Sequence, residues 1–68
     1  MMRVKVGDRV RMTGVMEDDP APMEVGAEGT VRDVYDAGTF SQIDVEWDNG
    51  RSLMLLPTDP FTVIRAQG

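Results

Sequence analysis

The stretch Ile43-Asp44-Val45-Glu46-Trp47-Asp48-Asn49-Gly50-Arg51-Ser52-Leu53-Met54-Leu55-Leu56-Pro57 decides the fold. Ile43, Val45 and Trp47 alternate with Asp44, Glu46 and Asp48. A period of two sets apolar side chains on one face of a strand and carboxylates on the other. Asn49-Gly50 suits a two-residue type I′ turn, whose twist matches the flanking strands. The return strand runs from Arg51 to Leu56, with Leu53 and Leu55 on the face of Trp47. Met54 and Leu56 take the other parity, so that face is not cleanly polar. Pro57 lacks an N–H and ends the ladder.

Other strands follow on either side of this hairpin. Lys5-Val6-Gly7-Asp8 reads as a turn leading into a first strand, Arg9 to Thr13, with Val10 and Met12 inward and Arg9 and Arg11 outward. Gly14 to Ala27 is a long connection holding Pro20, Pro22 and the acidic cluster Glu17-Asp18-Asp19. Its prolines exclude a helix and favour extended backbone. Val15, Met16, Met23 and Val25 are expected to tuck parts of it onto the rest of the domain. Glu28 to Tyr35 is the second strand. Val31 and Val34 are three apart, so a bulge is expected near Arg32-Asp33, and Gly29 fits a sharp bend or a close backbone approach. Asp36 to Thr39 is a turn and Phe40 to Trp47 the third strand. Pro57 to Pro60 suits one 3₁₀ turn. Phe61 to Arg65 is the fifth strand, and residues 66–68 form a frayed tail.

The expectation is one all-β domain over residues 1–68, with its core in 5–65. The order is a long first loop, a turn, a tight hairpin and a one-turn connector. That order matches a small five-stranded SH3-like barrel, which covers most strand edges. An OB-fold would place a helix between the third and fourth strands, where this chain has the Asn-Gly turn.

Composition narrows the chemistry. The 68 residues contain neither Cys nor His. No disulfide is available, and a zinc site would have to rest on carboxylates alone. A domain of this size buries only about 60% of its unfolded surface, so the core stabilises it unaided or oligomerisation contributes. No apolar run approaches the ~20 residues of a membrane-spanning helix. The start, Met1-Met2-Arg3-Val4-Lys5-Val6, lacks the apolar segment of a secretory leader. A cytoplasmic protein without membrane contact is expected. Net charge is −5, distributed as +3 over residues 1–12, −9 over 13–50 and +1 over 51–68. Either oppositely charged strands pair across the sheet, or the segregated charge steers a basic partner or self-association.

Three segments carry a resemblance. Lys5 to Val10 (KVGDRV), Val25 to Val31 (VGAEGTV) and Val45 to Gly50 (VEWDNG) are similar to the "GDxV … GxxGxV … VxWDxG" grammar of many SH3-like domains, KOW-type modules among them. More closely, residues 5–64 resemble an uncharacterised family of short bacterial and phage proteins, a domain of unknown function. That resemblance implies an SH3-like barrel and an association with phages or mobile elements. It implies no activity and transfers no binding residue.

Catalysis needs a nucleophile or a tuned acid or base. The candidates are the carboxylates, Lys5, Tyr35, Ser41 and Ser52. Asp44, Glu46 and Asp48 lie too far apart along one strand for a tight catalytic pair, and the serines have no nucleophile elbow. No catalytic residue and no cofactor are expected. Glu17-Asp18-Asp19 supplies oxygen ligands but lacks EF-hand spacing, so no metal is expected. The favoured expectation is a non-enzymatic module that binds an unidentified, basic protein partner. Its surface would comprise Met16, Glu17, Asp18, Asp19, Met23, Tyr35 and Met54. The opposing view of the loop is that it packs over Met54 and Leu56 as extra core. The runner-up is a KOW-like nucleic-acid module using Arg9 and Arg11, with Arg3, Lys5, Arg51 and Arg65 nearby. Net negative charge and only four aromatic residues count against it. A structural homo-oligomer, such as a homodimer, is the third reading. Trp47 is assigned to the core.

Overall fold

The computed structural model describes residues 4–38 and 40–64. Five strands form one antiparallel sheet: β1 Arg9–Met12, β2 Glu28–Asp36, β3 Ser41–Trp47, β4 Ser52–Leu55 and β5 Phe61–Ile64. Their order is β4-β3-β2-β1-β5. This is the expected small, barrel-like all-β architecture, and the strands fall within a residue or so of the positions read from periodicity. Arg65 and the tail 66–68 lie outside the described residues.

β2 is the element shared by the two halves of the sheet. Its first part pairs with β1, through Val10 opposite Gly29, and with β3, through Val31 opposite Val45. The Val31 carbonyl also accepts from Gly7 N at 2.9 Å, and Val31 N donates to the Asp8 carbonyl at 2.8 Å. The register then shifts between Val31 and Asp33. This is the bulge that the Val31–Val34 spacing predicts. It lets both valines turn toward the core, Val31 fully buried and Val34 packed against it. Beyond it β2 continues with β3 alone.

Gly29 is required where β2 crosses beneath β3. A Cβ there would come within 2.6 Å of Val45 Cγ1, 2.7 Å of the Glu46 carbonyl oxygen and 3.0 Å of Trp47 Cα. The close approach packs the backbone of β2 directly under the bend of the hairpin, as an interior glycine in a strand suggests.

The hairpin itself differs from the expected two-residue type I′ turn. Such a turn requires positive φ at both central residues, but no residue other than glycine has positive φ among those described. The loop instead holds Asp48, Asn49 and Gly50. Gly50 N donates to the Trp47 carbonyl at 3.0 Å, and Gly50 alone is left-handed, at φ 84°. The loop therefore opens one residue earlier than a two-residue turn would, at Asp48, whose N–H bonds the Glu28 carbonyl at 2.9 Å and carries the β2–β3 ladder past Trp47. Asn49 Oδ1 then accepts from Arg51 N at 3.0 Å and closes the loop.

The core comprises Val10, Met12, Met16, Met23, Val31, Ile43, Val45, Trp47 and Leu55. The inner face of the hairpin is as its alternation predicts. The Trp47 indole N–H donates to the Leu53 carbonyl at 2.9 Å, so its polar edge is satisfied inside. Of the four loop residues expected to tuck in, Met16 and Met23 do so, while Val15 and Val25 are exposed. At the last connector, Asp59 N donates to the Leu56 carbonyl at 3.0 Å. It is one turn of the expected i to i+3 kind, and it does not lengthen into a helix.

Two glycine substitutions separate these effects. Gly50→Ala meets no atom within 4 Å and costs only the left-handed backbone, about 1 kcal/mol. Gly29→Ala forces two backbones apart and is expected to cost about 3 kcal/mol. Urea unfolding of both variants checks the order; equal losses would contradict the close approach at Gly29.

Candidate functional site: the groove beside the long loop

The long loop is fixed at several points. Thr13 N donates to the Pro60 carbonyl at 2.9 Å, and Gly14 packs against the Pro60 ring. Asp19 N bonds the Met16 carbonyl at 3.2 Å, and Ala21 N bonds Asp19 Oδ1 at 2.9 Å. Further on, Arg51 Nη1 and Nη2 donate to the Pro22 and Ala21 carbonyls at 2.8 and 2.7 Å. Asn49 Nδ2 reaches Met23 Sδ at 3.4 Å. Gly26 N returns the chain to the Met12 carbonyl at 2.9 Å. Met16 and Met23 are two pegs set into the core, and each buried methionine contributes about 1.5–3 kcal/mol of apolar transfer.

Between the pegs the loop stands away from β4 and leaves an open groove of about 530 Å³. One wall is loop segment 15–20. The other is Met54, Leu56 and the connector residues Thr58, Asp59 and Pro60. Four carboxylates line it, those of Glu17, Asp18, Asp19 and Asp59, and no cationic residue does among the described residues. Two are committed locally: Asp19 to Ala21 N, and Asp59 to Leu56 N at 2.8 Å. Glu17 and Asp18 have no hydrogen-bond or ion-pair partner among the described residues. Among the described residues, no three acidic side chains converge as a metal site.

The expected surface therefore divides. Glu17, Asp18, Asp19 and Met54 come together at the groove, and Met16 lines it while remaining 7% exposed. Met23 does not belong to any contact surface. It is 1% exposed, because the turn at Asn49–Arg51 clamps the loop over it. Tyr35 is also separate. It lies on β2 opposite Gln42, half exposed, and is not part of the groove. The Asp33 carboxylate beside it holds its phenol pKa above the ordinary value. Sequence reading missed the connector wall. Leu56 shares the outward parity of Met54 and was legible, but the Thr13–Pro60 bond that brings the loop to the connector has no sequence signature.

Arg9 and Arg11 form cross-strand pairs. Arg9 donates through Nη1 to Asp48 Oδ1 at 2.9 Å, through Nη2 to Asp48 Oδ2, and to Thr30 Oγ1 at 3.0 Å. It also approaches Glu28 at 3.4 Å, and Arg11 Nε bonds Glu28 Oε2 at 3.1 Å. Arg32 pairs with Asp44 through two bonds of 3.2 Å. The basic strand is therefore neutralised by the acids of β2 and of the hairpin turn. Arg3 and Arg65, expected beside it, lie outside the described residues.

A family model described as a domain of unknown function (DUF4314) matches residues 2–64. The chain belongs to the DUF4314 family. Comparisons with curated proteins and with solved structures found no match. No helix among the described residues of this DUF4314 domain is long and apolar enough to cross a membrane.

The Arg9–Asp48 pair gives the DUF4314 domain a defined acid response. Arg9 holds the Asp48 carboxyl below its ordinary value, chiefly through their hydrogen bond. A carboxyl depressed by folding stabilises fully above its unfolded pKa of about 3.9. That contribution is lost as pH falls through the lower folded value. Asp48→Asn is therefore less stable than the parent at neutral pH, and the gap closes on acidification below that range. Denaturant midpoints measured from neutral to strongly acidic pH check this; a gap that does not change with pH would contradict the pairing.

Proposed function

We propose that this domain is a non-enzymatic protein-interaction module and that the groove between loop segment 15–20 and Met54–Pro60 is its contact surface. One observation carries the reading: the apolar side chains Val15, Met54 and Leu56 meet uncompensated carboxylates in one concave place. Such a surface favours a partner with apolar contacts and positive charge. The sequence adds support, since it holds neither His nor Cys to run acid–base or thiol chemistry. Strand order and loop order support an SH3-like barrel as the scaffold. An association with phages or mobile elements, implied by the motif resemblance, and a cytoplasmic setting that suits a cysteine-free chain belong to the same reading. The nucleic-acid alternative has less behind it, because Arg9 and Arg11 already hold carboxylates.

Selection of random peptides on the immobilised domain tests the reading, with the recovered peptides then measured against Met54→Glu and Leu56→Glu. Both residues are at least 37% exposed, so neither substitution disturbs the core. Binders are expected to lose about ten-fold or more in affinity on either variant, an order of magnitude being 1.4 kcal/mol. Recovery of no binder, or binders indifferent to both variants, would overturn the assignment.

A further inference from the structure

We propose that the groove takes an extended cationic segment of a partner protein, with a Lys or Arg stem against Met54 and Leu56 and its charge at Glu17 and Asp18. This names the partner class for the site under Proposed function and rests on that reading. β4 is an outer strand of the sheet, but its backbone edge is largely occupied. At its Arg51 end it is covered by the loop, through the Arg51 bonds to the Ala21 and Pro22 carbonyls. At its other end the Leu56 N–H and carbonyl are both taken by Asp59. The Met54 and Leu56 side chains line the groove, so side chains make the contact.

Charge selects the occupant. Across the strands, carboxylates of Glu28, Asp44 and Asp48 are met by arginines. Glu17 and Asp18 are not, although they stand beside exposed apolar side chains. Long basic side chains match that mixture, because they lay a hydrocarbon stem on an apolar surface and keep the charge at its rim. A metal ion does not fit, since Asp19 and Asp59 are turned to backbone donors. A second copy of the chain fits poorly too. Each described arginine already holds carboxylates or carbonyls, and the net charge of −5 repels a like molecule.

Amide chemical shifts of the isotope-labelled full chain, titrated with two synthetic peptides of about ten residues, test the proposal. The first alternates Lys with Leu and Thr, and the second replaces Lys by Glu. The Lys peptide is expected to shift saturably the amides of Val15 to Asp19 and of Met54 to Leu56. Its affinity should fall about ten-fold or more in the Glu17→Gln/Asp18→Asn double variant. A Glu46→Gln control, which removes an exposed acid outside the groove, should change it less than about two-fold. The Glu peptide should bind about ten-fold more weakly or worse. Equal loss in the Glu46→Gln control, or none in the double variant, would overturn cation recognition at this site. Groove binding by the Glu peptide as tight as by the Lys peptide would overturn the inference but leave the interaction module standing. Shifts of the same amides on raising protein concentration alone would assign the groove to a second copy and overturn it. No peptide binding, together with recovery of no binder when random peptides are selected on the domain, would remove both.

Discussion

The long loop closes the core beside β4, an outer strand of the sheet. This closure is the constraint on which the rest depends. A chain of 68 residues has too little core to leave one side open. Met16 and Met23 supply apolar volume from outside the sheet. The Thr13–Pro60 bond and the Arg51 bonds tie the loop to the connector and to the hairpin turn at the two ends of β4. Without the loop, the inner faces of Trp47, Leu55 and Met12 would meet water. The groove is the remainder of this solution, the space left where a loop rather than a strand completes the wall.

Electrostatics follows the same division. On the sheet, three carboxylates are answered by arginines, those of Glu28, Asp44 and Asp48. Arg9 reaches the hairpin turn through Asp48 and β2 through Glu28, so one guanidinium joins β1, β2 and the β3–β4 turn at their outer surface. The −9 middle of the sequence is therefore not a uniform acidic field. Glu46 stands alone on β3, whereas Glu17 and Asp18 lie together beside apolar side chains at the groove.

The hairpin, the bulge and the glycine crossing were legible because each is a local consequence of spacing. Alternation fixed the inner face of β3, the Val31–Val34 interval demanded an extra residue, and Gly29 marked a place with no room for a side chain. The turn type was not legible from Asn49-Gly50, because that pair suits both a two-residue turn and a three-residue loop that ends on a left-handed glycine, as Gly50 does. The site was half legible for a similar reason. Acidic composition and the parity of Met54 pointed to the groove, but whether Met16, Met23 or Tyr35 joined it depended on where a fifteen-residue excursion came to rest. Loop docking is fixed by carbonyls and by a distant arginine, and neither has a periodic trace in the sequence.

The use of sulfur in the core has a redox consequence. Three of the nine core side chains are methionines, and the sequence has no cysteine to be oxidised in their place. Conversion of a thioether to its sulfoxide makes a flexible apolar side chain polar. Met54, 37% exposed, meets an oxidant from the groove side without a cost to the core. Among the core methionines Met16 is the most accessible, at 7% against 1% for Met12 and Met23, and it borders the groove. Both groove walls thus carry the sulfurs that an oxidant reaches before Met12 and Met23, and oxidation would alter the recognition surface before it harmed the sheet.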